Sequence, residues 1–203
     1  MNIELKVSKR AISYEKAMVF LDKRVEEIKN NKNYELIWIL EHPLTFTAGI
    51  RYAQNEILDK KIKIIKTKRG GKLTLHDKGQ KIIYFVINLN KRKKDIRKLI
   101  NAIEKSIIQF LRLYNIKAVA DRKNIGIWVN KKKIAAIGLR ISRWIAYHGF
   151  SININNDLSQ YLKIKPCGLD NKKVTSISKE RKKIINKIDT KLLSILMKNI
   201  NKI

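Results

Sequence analysis

The 203-residue, 23.8 kDa chain carries 46 lysines and arginines against 17 acidic residues, a formal charge of +29. Its 44% hydrophobic fraction is that of a globular protein, and no run of about eighteen uncharged apolar residues occurs, so no membrane span is expected. So basic a surface would attract nucleic acid, anionic lipid or acidic protein. However, the charges are spread along the chain without zinc-ligand spacing, a basic heptad or an aromatic-interleaved RNA motif, which argues against a nucleic-acid reader.

One domain, 1–203, with a single core is expected at this length. The opening MNIELKVSKR lacks the apolar core of a secretory signal, and a lone cysteine forms no internal disulfide. Both features fit a reducing cytoplasm.

In chain order, apolar residues at three- and four-residue steps predict a helix from Tyr14 to Ile28. β-Branched and aromatic runs then predict strands at Glu35 to Leu40, Ile62 to Thr67 and Ile82 to Leu89. A second amphipathic helix follows from Ile96 to Tyr114. Three more strands are expected at Ile125 to Val129, Ile134 to Ile141 and Trp144 to Ile154, with a hairpin tip at Val129-Asn130-Lys131-Lys132. Ser178 to Lys187 is polar and reads as a mobile connection, and Thr190 to Ile200 as a short closing helix. Neighbouring strands without intervening helices imply an α+β fold with a mixed, partly antiparallel sheet flanked by helices.

The chain has only eight glycines, two prolines, three histidines and one cysteine, and they fall together. Glycine marks backbone with unusual dihedrals or close ligand approach, and proline marks a turn. Four segments stand out: Glu41-His42-Pro43 running to Gly49, Arg69-Gly70-Gly71 running to His76, Ala135-Ala136-Ile137-Gly138, and Tyr147-His148-Gly149-Phe150 leading towards Pro166-Cys167-Gly168. Each alone has an ordinary structural explanation. The cysteine, set between Pro and Gly and therefore in a loop, is placed as an accessible nucleophile would be.

From Tyr34 to Ser178 these residues, in order and spacing, resemble the octanoyltransferases of lipoate biosynthesis. The resemblance rests on His42-Pro43 with Phe46-Thr47-Ala48-Gly49, Arg69-Gly70-Gly71 to His76 and Gly79-Gln80, Lys133 to Gly138, Tyr147 to Phe150, Asp157-Leu158-Ser159 and Pro166-Cys167-Gly168. It implies the fold of the biotin and lipoate protein ligase catalytic domains. It also implies a catalytic pair, Cys167 and Lys133, and an acyl pocket of Arg69, Gly70, Gly71, Lys72, Leu73, Thr74, Leu75 and His76 with Ala136, Ile137, Gly138, Gly149, Phe150 and Ser151. His42 and His148 stand as auxiliary residues. No metal or cofactor is implied. The donor would be acyl carrier protein, and the acceptors lipoyl domains of 2-oxoacid dehydrogenases and of the glycine cleavage system. One departure stands out: the family usually has His-Gly-Pro-Gly-Gln where this chain reads His76-Asp77-Lys78-Gly79-Gln80.

A thiol with pKa ~8.5 is only about 3% ionised at pH 7. Lowering that pKa by about two units takes roughly 2.7 kcal/mol. An ammonium ~4 Å away supplies roughly 4 kcal/mol at an effective dielectric near 20, so one lysine suffices. Lys131, Lys132 and Lys133 are consecutive; strand alternation separates Lys132 from the other two, and only the resemblance selects Lys133. A competing reading is an ATP-dependent lipoate or biotin ligase on the same scaffold, which needs no cysteine nucleophile. Pro166-Cys167-Gly168 argues against it.

Overall fold

The computed structural model describes residues 2–121, 124–165, 174–181 and 186–203. Its main element is a seven-stranded sheet in the order β1 (Ile3–Val7), β2 (Glu35–Leu40), β6 (Gln80–Asn88), β10 (Ile145–Asn153), β9 (Lys132–Ser142), β8 (Ile127–Val129), β7 (Val119–Ala120). Only β1 and β2 run parallel; the other neighbours are antiparallel. A smaller sheet is ordered β4 (Ile64–Lys66), β3 (Thr45–Ala48), β5 (Leu73–His76), with β4 parallel and β5 antiparallel to β3.

The central strands are apolar without interruption because both faces are covered. Ile37, Ile39, Ile83, Phe85 and Ile87 pack with Leu99, Ile103, Ile107 and Phe110 of α2 (Ile96–Arg112). Leu192 and Leu196 of α4 (Ile188–Ile200) complete that layer. The alternate residues Leu36, Trp38, Leu40, Ile82, Tyr84 and Val86 pack against Ala17, Leu21, Val25 and Ile28 of α1 (Tyr14–Lys29). The period-two alternation of β2 and β6 thus sorts one hydrophobic run into two cores. The helices begin where the sequence offers a cap: Ser13 accepts from Lys16 N at 3.4 Å, and Asp95 from Lys98 N at 2.9 Å.

The fold class is the one expected, and each anticipated helix and strand is present, Glu35–Leu40 with the expected ends and the others with shifted ones. The Asn130-Lys131 tip forms with φ of 47° and 63°, the left-handed pair of a tight two-residue hairpin. The edge strand β1 and the short β3, β5 and β7 are additional. The edge strand has exposed Leu5 and Val7 and no clean alternation, and β3 and β5 span four residues each. The 178–187 stretch is not wholly a loop: Ile177–Glu180 forms a one-turn helix, α3, capped by Ser176. Its 182–185 portion lies outside the described residues. The fold depends on the central layer, so Phe85→Ala, at a fully buried site, is expected to lower the unfolding free energy by about 4 kcal/mol in urea titrations.

Candidate active site

A cleft separates the small sheet from one face of the large one. The small-sheet side contributes Arg69, Gly71, Lys72, Thr74 and His76; the large sheet contributes Ile82, Tyr84, Ala136, Ile137, Gly138 and His148 to Ser151; Tyr14 enters from α1. The two sides are fastened where Gly70 N donates to Leu139 O at 2.9 Å. The Arg69 to Gly71 turn is held from behind, with Gly49 N donating to Lys72 O (3.1 Å) and Arg51 N to Gly71 O (3.0 Å). Gly49 has to be glycine: a Cβ there would lie 2.5 Å from Gly71 O and 2.8 Å from Arg69 Nη1. The Arg69 guanidinium is buried and donates to Thr47 O (3.1 Å) and Thr47 Oγ1 (2.9 Å).

Three residues anticipated in the pocket do not line it. Leu73 and Leu75 alternate with Thr74 and His76 along β5, so they point into the small sheet's core with Phe46, Tyr161 and Ile164. Gly70 spends its N–H on Leu139. Conversely Tyr14, Ile82 and Tyr84 do line the cleft. Their spacing marked them only as core, since a buried helix face and a cleft wall have the same periodicity.

All three histidines meet here with the two tyrosines. The His42 ring lies 5.5 Å from that of His76, Tyr14 stacks on His76 at 5.9 Å, and Tyr84 lies 6.5 Å from His148. His42 is fully buried behind the cleft wall rather than in it. Its Nδ1–H donates to Ile12 O (2.5 Å) and its Nε2 accepts from Tyr84 Oη (2.8 Å), so it supports Tyr84. His76 Nδ1–H donates to Gln80 Oε1 at 3.0 Å. That leaves its Nε2 as the unprotonated, acceptor nitrogen. Consecutive strand residues ordinarily point to opposite faces, yet the rings of Tyr147 and His148 stack at 5.1 Å. The left-handed backbone of His148, φ 66°, allows it. The departure at 77–79 keeps a tight turn: Asp77 Oδ1 accepts from Lys78 N (2.8 Å), Gly79 takes φ 77°, and Gln80 N returns to Asp77 O (3.1 Å).

Of the three consecutive lysines, Lys131 and Lys132 are exposed and Lys133 is only 5% exposed. Lys133 lines a small cavity with Thr74, Ala135, Ala136, Ser151, Asn153, Tyr161 and Val174. Thr74, Ala136 and Ser151 also belong to the cleft, so the lysine and the cleft share a wall. Cys167 lies outside the described residues, as do Pro166 and Gly168. The chain flanking them is anchored on both sides: Lys165 N donates to Glu56 O (2.7 Å), and Val174 bridges to Lys133, whose carbonyl accepts from Thr175 N (2.9 Å).

A family model, the lipoyl protein ligase A/B catalytic domain, matches residues 13–193. Octanoyltransferases from Wolbachia sp. subsp. Brugia malayi (strain TRS) and Wolbachia pipientis wMel are similar, with 43% identity over 86% of this chain and 88% of the relative, and 44% over 84% and 86%. The chain belongs to the octanoyltransferases of the lipoyl protein ligase A/B family. Its fold is shared with solved structures of low identity. A bipartite lipoate protein ligase from Thermoplasma acidophilum, studied with its E2 lipoyl domain, superposes with TM-score 0.73 at 13% identity, covering 99% of this chain and 84% of that one. The biotin protein ligase of Aquifex aeolicus with biotin and ATP gives 0.59 at 16%, covering 99% and 71%. The chain is thus an acyltransferase on the biotin/lipoate ligase fold. Among its described residues, no helix is long and apolar enough to cross a membrane.

For an acyltransferase cleft the electrostatics are consistent: the polar wall is uncharged apart from its cations. Burial holds His76 at about 3, with His42 and the Arg69 guanidinium adding to the shift. Burial, then Arg69 and Arg140, holds His148 at about 3. Burial also lowers His42 and raises both Tyr14 and Tyr84. All five rings are therefore neutral at pH 7. An unfolded imidazole titrates near ~6.5, so on acidification the unfolded chain binds protons before the folded one. Stability is complete above that pH and falls as pH drops through the window towards about 3. Urea titrations at pH 7 and pH 4.5 are expected to show this loss, and His148→Gln is expected to shrink it.

Proposed function

We propose that Cys167 takes an octanoyl group from the thioester of acyl carrier protein and passes it to a lysine of a lipoyl domain, with Lys133 as the partner of the thiol. The proposed acceptors are the lipoyl domains of 2-oxoacid dehydrogenases and of the glycine cleavage system, and the whole reaction is assigned to one cytoplasmic domain. The observation that carries this reading is the burial of Lys133 against a wall of the cleft. A lysine ammonium withdrawn from water stabilises a nearby thiolate more strongly than a solvated one does.

In the first half-reaction the thiolate attacks the carrier thioester carbonyl. The tetrahedral oxyanion collapses, the acyl–sulfur bond to the carrier breaks, and the carrier leaves as its thiol, taking up the proton that the Cys167 thiol gave up. In the second, the neutral acceptor amine attacks the enzyme thioester, the bond to Cys167 breaks, and an amide forms with release of one proton. Lys133 is the better proton carrier of the two candidates. His76, held at about 3 by burial, is too weak a base to collect a proton at neutral pH. It holds the wall with Gln80, whose Nε2 donates to Asn153 Oδ1 (2.9 Å) and Tyr161 Oη (3.2 Å) beside the Lys133 cavity.

The apolar lining supplied by Ile82, Ala136, Ile137 and Phe150 suits a hydrocarbon chain, each buried methylene contributing about 0.8 kcal/mol. The formal charge of +29 favours acidic protein partners and speeds their encounter at low salt.

Incubation with octanoyl-carrier and no nucleotide is expected to raise the intact mass by one hydroxylamine-labile octanoyl group. Cys167→Ser is expected to abolish the adduct, and Lys133→Ala to slow its formation and raise the pH at which it begins. An ATP-dependent ligase on this fold would instead show no adduct and would require ATP for transfer.

A further inference from the structure

Lys133 reaches its place through a gap left by a missing side chain. Gly126, directly before β8, has φ 144°, and a Cβ built on it would stand 2.4 Å from Lys133 Cε, 3.2 Å from Lys133 Nζ and 2.7 Å from Ala135 O. The end of the lysine side chain therefore lies over the bare Cα of Gly126. The ammonium also lies 5.4 Å from the centroid of the ring of Trp128, the residue paired with Lys133 across β8 and β9. The indole is itself pinned, Nε1–H donating to Asn124 O at 2.9 Å. A register shift at Ile127/Trp128 sets the two residues at this spacing.

We infer that Gly126 and Trp128 form a cradle that positions Lys133 for acyl transfer, Gly126 by leaving room for its stem and Trp128 by offering a ring face to its ammonium. This rests on Lys133 serving the reaction as proposed above. A flexible lysine end gives way more readily than a strand backbone, so a methyl group at 126 would displace the amine, besides meeting the Ala135 carbonyl at a φ that side chains rarely adopt. A displacement of about 1 Å in a reacting group costs roughly a hundredfold in rate. Neither residue touches substrate in this scheme; both act through Lys133.

The test is a double-mutant cycle read by single-turnover octanoyl transfer and by the pH dependence of iodoacetamide labelling of the chain's single cysteine. Gly126→Ala is expected to slow transfer roughly a hundredfold and to move the labelling onset to higher pH, as Lys133→Ala does. In the Lys133→Ala background, Gly126→Ala is expected to slow transfer about tenfold less than it does in the wild type, only the Ala135 carbonyl contact and the strained φ being left to act. Equal slowing in both backgrounds, or an unchanged labelling profile, would overturn the inference. So would a Gly126→Ala enzyme of normal rate. Should Lys133→Ala itself transfer normally, the assignment of Lys133 fails, and that variant alone reveals it. If Gly126→Ala does not fold, recovery of folding in the double variant supports the collision. If neither folds, the same cycle with Trp128→Leu decides: non-additivity with Lys133→Ala supports the cradle and additivity overturns it.

Discussion

Among the described residues, a backbone hydrogen bond from Gly70 N to Leu139 O joins the small sheet's turn to the face of the large sheet at the cleft. It forms because backbone meets backbone here without side chains between. Gly49 admits the Arg69 to Gly71 turn, and Gly138 faces Arg69 and Gly70 O at 3.4 Å from where its Cβ would be. Gly149 lets β10 lie on β6, since a Cβ there would fall 1.9 Å from Ile83 O. A side chain at Gly49 would displace the Arg69 to Gly71 turn and one at Gly149 would push β10 off β6, so the cleft would lose its shape before it lost any of its polar groups.

Around that junction the protein places cations and neutral rings rather than carboxylates. Arg69 is buried with its nitrogens on Thr47 and Gly70 O, and Lys133 is buried on the far side of the shared wall. Near the rim Lys72 pairs with Glu56 at 2.5 Å. A low-dielectric site lined this way favours developing negative charge, which acyl transfer generates at the carbonyl oxygen. Burial, reinforced by Arg69, depresses His76 and His148, so these imidazoles serve as hydrogen-bonding wall instead of titrating.

The fold is common to lipoate and biotin ligases of 13–16% identity, and the chemistry is settled by residues grafted onto it. The hairpin of β8 and β9 shows how. Its left-handed tip at Asn130 and Lys131 fixes the register, the register pairs Trp128 with Lys133, and Gly126 opens the path for the lysine stem. A tight turn thereby determines where an amine sits.

Local periodicity was enough to read the helices, the central strands and the hairpin tip, because each is written in spacing that depends only on the chain's own geometry. The glycine, histidine and lysine segments announced a site, and their resemblance to octanoyltransferases named its kind. Which face of β5 would look into the cleft was open to the same alternation rule, and applying it would have excluded Leu73 and Leu75. The rest lay beyond any local pattern. Tyr14 and Tyr84 come from α1 and β6, and they enter the cleft only because the helix and the two sheets pack together. The burial of Lys133 rather than its two neighbours, and the neutrality of the histidines, likewise arise from desolvation, which exists only once distant segments have excluded water.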